Sequence, residues 1–172
     1  RDAQGIVRID GENRGDIAQA VGFVHAQERF FQMDLQRRSA AGELAALFGP
    51  LALELDRGVR THRFRDRSRR ILAALPPDQR RLMERYAQGV NAGLEDLRTL
   101  PCEDALRRAE AEPWSAEDGL LTIFSRYLVL QDPEARFERG LGLMADTLPE
   151  DLYRFFSQQG GRWDAPLTGG PL

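Results

Sequence analysis

A chain of 172 residues with a net charge of -3 and a pI near 5.5 is long enough for one domain with a real core, and its acidity argues against a general polyanion binder. No run approaches the roughly 20 apolar residues of a membrane span. Cys102 is alone, so no internal disulfide can form and the cysteine count leaves the redox compartment open, while His25 and His62 are too few and too far apart for a zinc site. All 24 basic residues are arginine, which reads as genome bias and not as function.

Taken in order, Gly5 to Gly11 (GIVRIDG) alternates Ile6 and Ile9 loosely with polar residues and is the best strand candidate, an edge for a sheet supplied mostly by another chain. Asn13, with Asp16 three positions on, predicts a helix start. From there to about Ala41 apolar residues recur at helical spacing but cover more than one face, so the helix is expected to be buried on several sides. Gln27, Glu28, Arg29, Gln32 and Asp34 are interleaved with its aromatics, and several must find partners if burial is not to be costly. His25, in the same stretch, reads as a satisfied core histidine. Gly42 breaks the helix, Glu43 to Phe48 continues it briefly, and Gly49-Pro50 stops it.

Between Arg57 and Arg70 the chain carries arginine at 57, 60, 63, 65, 67, 69 and 70, opposed within the run by Asp66 alone. Clustered arginine is an electrostatic footprint for phosphate, but apart from Phe64 no aromatic platform is interleaved, so a solvated face paired with acidic neighbours is the simpler reading. Pro76-Pro77-Asp78 open the next helix, striped by Leu82, Tyr86, Val90 and Leu94, and Asn91 within it reads as an amide serving backbone groups. Residues 99–112 form a connection, partly helical at 104–111. Ser115 with Asp118 is a variant capping box opening a helix that is apolar nearly all round and ends at Asp132-Pro133. Residues 134–145 are amphipathic through Phe137, Leu141 and Met144, and Leu148-Pro149 starts a last short helix to about Phe156. The tail 158–172 is expected to be extended against another surface. With Arg1 in place of a methionine and a Gly- and Pro-rich end, both termini look cut.

No catalytic set stands out. The serines lack a G-x-S-x-G elbow, and no carboxylate pair is identifiable by spacing.

Several stretches resemble one family. GFVHAQERFFQMDLQRRSAAGELAALFG (22–49), preceded by GIVRIDGENRGD and followed by YAQGVNAGL, EPWSAED and RWDAPLTGG, is similar to the α chain of penicillin acylases and N-acyl-homoserine-lactone acylases. These are N-terminal-nucleophile hydrolases, and five pieces in the family's order make the resemblance specific. It implies a mainly α chain with a short N-terminal strand, residues 1–172 forming one unit. A larger β chain completes an αββα fold, and 158–172 packs on that chain. Family precursors are exported to the periplasm and cleave themselves into the two chains. The nucleophile is then the first serine of the β chain, whose own α-amine acts as base, and an oxyanion is stabilised by β-chain donors. No catalytic residue is expected in this chain.

The resemblance further implies that the helix after EPW lines the acyl pocket. Counting from Trp114 gives Phe124, Tyr127, Leu130 and Gln131 as substrate-binding residues, with Phe30 and Phe31 as further candidates. Phenylacetyl-specific members carry methionine, arginine and phenylalanine there; Leu130, Tyr127 and Phe124 suit a fatty acyl chain. Some relatives share a calcium ion between the chains, which makes Glu138 the candidate ligand and Glu134 the fallback. No organic cofactor is implied. Two competing readings stay open: a helical nucleic-acid-binding or scaffold module using Arg57–Arg70, and a family member whose β chain has lost its nucleophile.

Overall fold

Asn13 sits in extended backbone, and its side-chain oxygen accepts from the amides of Gly15 (2.8 Å) and Asp16 (3.1 Å), which starts α1 at Arg14–Ala41 as expected. Gly42 closes it with φ 69°, its N–H donating to the Arg38 carbonyl. A Cβ there would lie 2.6 Å from Arg60 Cγ and 2.7 Å from the Asp56 carbonyl oxygen. Arg29 (φ -142°, ψ 21°) kinks the helix midway. The kink has no marker in the sequence, since neither proline nor glycine adjoins it.

The computed structural model of this chain describes residues 1–97, 111–131 and 134–157. The chain divides into two compact units, Arg1–Leu130 and Gln131–Leu172. In the first, α1 is followed by α2 (Ala45–Phe48), a 3-10 turn (Gly49–Ala52), α3 (Leu53–Arg60), α4 (Phe64–Ala74), α5 (Pro77–Glu95) and α6 (Ala116–Leu130). The second holds α7 (Arg136–Thr147) and α8 (Glu150–Phe156). The connection helix expected over 104–111, the stop at Asp132-Pro133 and the tail 158–172 fall outside the described residues, wholly or nearly so.

The expected strand is not there. Among the described residues no strand forms; residues 5–11 are irregular and Ile6 is exposed. A single extended segment has no neighbouring backbone to share ladder hydrogen bonds. The segment is anchored instead by a turn at Asp2, whose carboxylate accepts from the amides of Gln4 and Ile6.

Helices α1 and α5 pack at backbone distance because glycine stands at the crossing. A Cβ on Gly22 would lie 2.2 Å from the Tyr86 carbonyl oxygen, and one on Gly89 only 1.8 Å from that of Gln19. Around this crossing Ala26, Phe30, Ala87, Val90 and Trp114 form one core, and Ala40, Phe64 and Leu121 form a second with Phe124 and Leu128 against it. Cover on several sides of α1 is thus supplied by α5 and α6 chiefly, with α3 and α4 behind. His25 departs from expectation: it is exposed, satisfied by the Tyr86 hydroxyl 3.0 Å from Nδ1 with the rings edge to face. Burial pushes the Tyr86 phenol above its ordinary value, so it stays protonated as a hydrogen-bonding partner.

Within the second unit, α7 turns its Phe137, Leu141 and Met144 into a shallow cleft with Phe156 of α8, as the amphipathic spacing anticipates. Pro149 stands just ahead of α8, where its missing N–H costs nothing.

Candidate functional site

Three charged side chains from one turn of α1 are among the most buried polar groups of the described residues. Asp34, Arg37 and Arg38 follow one another at i, i+3 and i+4, so they share a face. Arg37, 3% exposed, donates from Nε to Asp34 (2.7 Å), from Nη1 to Asp118 (2.8 Å) and the Pro113 carbonyl (2.8 Å), and from Nη2 to the Glu112 carbonyl (2.9 Å). Its planar head also lies 5.1 Å from the Trp114 ring centroid. Arg38 forks Asp34 on one side and reaches the Glu112 carboxylate at 2.9 Å on the other. From α4, Arg65 grips both oxygens of Glu43 (2.7 and 2.6 Å) and reaches Asp118 at 3.1 Å. One network therefore ties α1, α4, α6 and the 112–115 link together.

Asp118 is its hub and completes the expected capping arrangement: Oδ2 accepts from the Ser115 amide (2.8 Å) and hydroxyl (2.7 Å) as well as from Arg37. Burial opposes ionisation of this carboxyl, but the Ser115 amide, the Arg37 guanidinium and the Ser115 hydroxyl outweigh it and hold the group below its ordinary value of 3.8. The Glu43 carboxylate, against the opposing effect of burial, holds Arg65 above its ordinary value, so it stays charged throughout. With its folded value depressed, Asp118 contributes stability that is fully present above pH 4 and drains away as pH falls through the folded value. Urea midpoints measured from pH 5 to 2.5 should show this loss, and Asp118→Asn should flatten that part of the curve. An unchanged slope would contradict the assignment.

Asn91 does what its place on α5 suggested. Its amide donates to the Trp114 carbonyl (2.9 Å) and accepts from the Trp114 amide (2.7 Å), stitching the link to α5. Asn91→Ala leaves both backbone groups without that partner and is expected to cost about 1–3 kcal/mol in urea denaturation.

The Arg57–Arg70 run is spoken for by its own chain. Arg57 pairs with Glu54, Arg63 and Arg70 with Asp66, Arg69 with Glu117, and Arg65 as above. Arg60 and Arg67 donate to the carbonyls of Gly42 and His62. Most of the run is a solvated, acid-paired face, as read from the sequence; Arg65 alone is drawn into the network.

The site residues expected on α6 part company. Phe124 and Tyr127 share a groove of about 570 Å³ with Phe64, Ile71 and Ala74 of α4 and the stems of Arg67 and Arg70. Phe124 is fixed there by a stack, its ring 4.5 Å from Phe64, which lies 5.0 Å from His62. Tyr127 is 53% exposed. Leu130, 81% exposed, lies outside the groove, and Gln131 opens the second unit. Phe30 is buried in the α1–α5 core. Sequence reasoning missed the α4 wall, because seven arginines masked the spacing of Phe64, Ile71 and Ala74. It also missed Arg37 and Arg38, although their i+3 and i+4 spacing from an acid in an apolar helix was a usable signal. Glu138 lies exposed on α7, and among the described residues no three His, Cys, Asp or Glu side chains converge on a point that could hold a metal ion.

Over its whole length the chain is similar in fold to a thermostable penicillin G acylase from Alcaligenes faecalis, with a TM-score of 0.73 at 26% identity, covering 100% of this chain and 96% of that one. The architecture is therefore a mainly helical one of the penicillin acylase kind. The penicillin amidase family matches residues 1–160, and this chain belongs to that family. It is 42% identical over 114 residues to the penicillin acylase 2 proenzyme of Pseudomonas sp. strain SE83, covering 66% of this chain and 15% of that protein. To the acyl-homoserine lactone acylase QuiP of Pseudomonas putida strain KT2440 it is 36% identical over 169 residues, 98% of this chain and 20% of that protein. The matched stretch thus spans 15% and 20% of the length of these two relatives.

Proposed function

We propose that this chain is the α subunit of a two-chain amide hydrolase that removes hydrophobic acyl groups from N-acyl-homoserine lactones or β-lactams. The observation that carries the reading is the likeness, end to end, to a solved penicillin G acylase chain of nearly its own size. Exposed apolar side chains support a second chain around it: Leu51 in the 3-10 turn, Leu53 and Leu55 at the start of α3, and Ile123, Val129 and Leu130 on α6. In this reading both units, with 158–172 laid along the partner, join a larger β chain in one αββα assembly matured in the periplasm.

The chemistry belongs to the β chain's first serine, which attacks the amide with its own α-amine as base and releases the amine. Water then frees the acid. This chain positions the acyl group: Phe124 and Tyr127 form one wall of its pocket, each buried methylene contributing roughly 0.8 kcal/mol. A calcium ion needs several oxygens, and Glu138 fits only as a single ligand to an ion whose other ligands come from elsewhere.

The test is to purify the mature protein, sequence the first residue of any companion chain, and assay decanoyl-homoserine lactone and penicillin G. A companion beginning with serine, and release of the acid from either substrate, is the expected result. A companion beginning with anything but serine, threonine or cysteine makes the protein a binding relative. Salt-sensitive DNA binding with no companion would favour the arginine-module reading instead.

A further inference from the structure

The groove between α4 and α6 is walled by two helices, and the side chain that sets them against each other does not line it. Phe64, Ile71 and Ala74 face the groove from α4, Phe124 and Tyr127 from α6. Phe64 and Ile71 stand two helical turns apart, so a single roll of α4 about its axis presents both. Arg65 fixes that roll. It follows Phe64 directly and projects about 100° further round the helix. There its guanidinium holds both oxygens of Glu43 (2.7 and 2.6 Å) and, from Nη1, Oδ1 of Asp118 (3.1 Å).

Both anchors are themselves tied down. Asp118 is buried, and its Oδ2 is taken up by Ser115 and Arg37, so among the described residues Arg65 is the side-chain donor to Oδ1. Glu43 follows the left-handed Gly42 that ends α1, and its N–H donates to the Arg38 carbonyl at 2.9 Å. Arg65 therefore clamps α4 to the end of α1 and to the first turn of α6 at once. The next pair along, Arg69 with Glu117 at 3.2 Å, has an exposed arginine and is the weaker tie. Beyond it, among the described residues, no ion pair joins the two helices. The stack of Phe64 on Phe124 closes one end of the groove, while at the other Ile71 and Tyr127 remain exposed, and their separation follows from how α4 is set at Arg65.

We infer that Arg65 is a positioning residue for acyl selection: its clamp on Glu43 and Asp118 sets the width of the α4–α6 groove and so the bulk of the acyl group admitted. The inference rests on the acylase reading above and deepens it. Arg65 acts through Phe64 and Ile71, remote from the bond that breaks.

The experiment uses the mature two-chain protein and two amides, hexanoyl- and 5,5-dimethylhexanoyl-p-nitroanilide, which differ only in methyl groups at the far end. The wild type should favour the slim amide, and Arg65→Gln should shrink that ratio of kcat/KM about tenfold, through the KM of the branched amide. Glu43→Gln should shrink it by a similar factor and add little to Arg65→Gln, since both open one clamp; it also carries the test if Arg65→Gln fails to mature. The ratio is independent of how much protein is folded, so Asn13→Ala, which only removes the cap of α1, should leave it where it was. An unchanged ratio in the clamp variants, a wild type without preference, or the same shrinkage in Asn13→Ala overturns the inference. If no amide is cleaved, calorimetry with hexanoic and 5,5-dimethylhexanoic acids decides. A preference for the slim acid that the clamp variants relax upholds the clamp, and only the hydrolytic reading fails; equal binding of the two acids, or none, overturns it.

Discussion

Arg37→Ala should lower the stability of the protein by about 3–5 kcal/mol, the range expected when one partner of a buried ion pair is removed. The substitution strips Asp34 and Asp118 of a shared cation, leaves the carbonyls of Glu112 and Pro113 without their donor, and uncovers the face of Trp114. Arg38 and Arg65 still reach the two carboxylates but cannot reach those carbonyls. Arg37→Lys should rescue little, since a single ammonium cannot reach from Asp34 to Glu112 as the forked guanidinium does. Urea denaturation followed by circular dichroism measures both. A loss under 1 kcal/mol for the alanine variant would mean that the network is decoration on a fold held by its apolar contacts.

Gly89→Ala is expected to be nearly as damaging, at about 3 kcal/mol, although it adds one methyl group to a helix. That Cβ would sit 1.8 Å from the Gln19 carbonyl oxygen and 2.7 Å from its carbon, and both are backbone, so no rotamer change relieves the clash. α5 has to back away from α1, opening the contacts of Val90 and Ala26. Gly58 on α3 is the control, because a Cβ there meets nothing within 4 Å. Gly58→Ala should stabilise by about 0.5–1 kcal/mol through helix propensity alone. Opposite signs at two helical glycines, read from thermal unfolding, would establish close approach as the reason for Gly89. Equal signs would refute it.

Legibility differed by element for physical reasons. The start of α1 at Asn13, its end at Gly42 and the Ser115–Asp118 cap are local hydrogen-bond and φ requirements, carried by the residues that meet them. Arg29's kink and the α4 helix were not legible, the first having no local cause and the second being hidden by its arginines. For the groove, the family resemblance singled out Phe124, Tyr127 and Leu130, but the packing of α4 decided that the first two share it while Leu130 does not.

The sequence by itself determined where α1 begins and ends, where α5, α6 and α8 begin, and, through its motifs, the family to which the chain belongs. Helix spacing and capping are short-range properties, so residue order encodes them directly. Only the tertiary structure decided that Asp34, Arg37, Arg38, Arg65 and Asp118 compensate one another, that Gly22 and Gly89 face opposing carbonyls, and that Arg67 meets no acid among the described residues. Those outcomes depend on which surfaces meet across stretches of tens of residues, and burial, the quantity that makes a charge costly or a methyl group fatal, exists only once they have met.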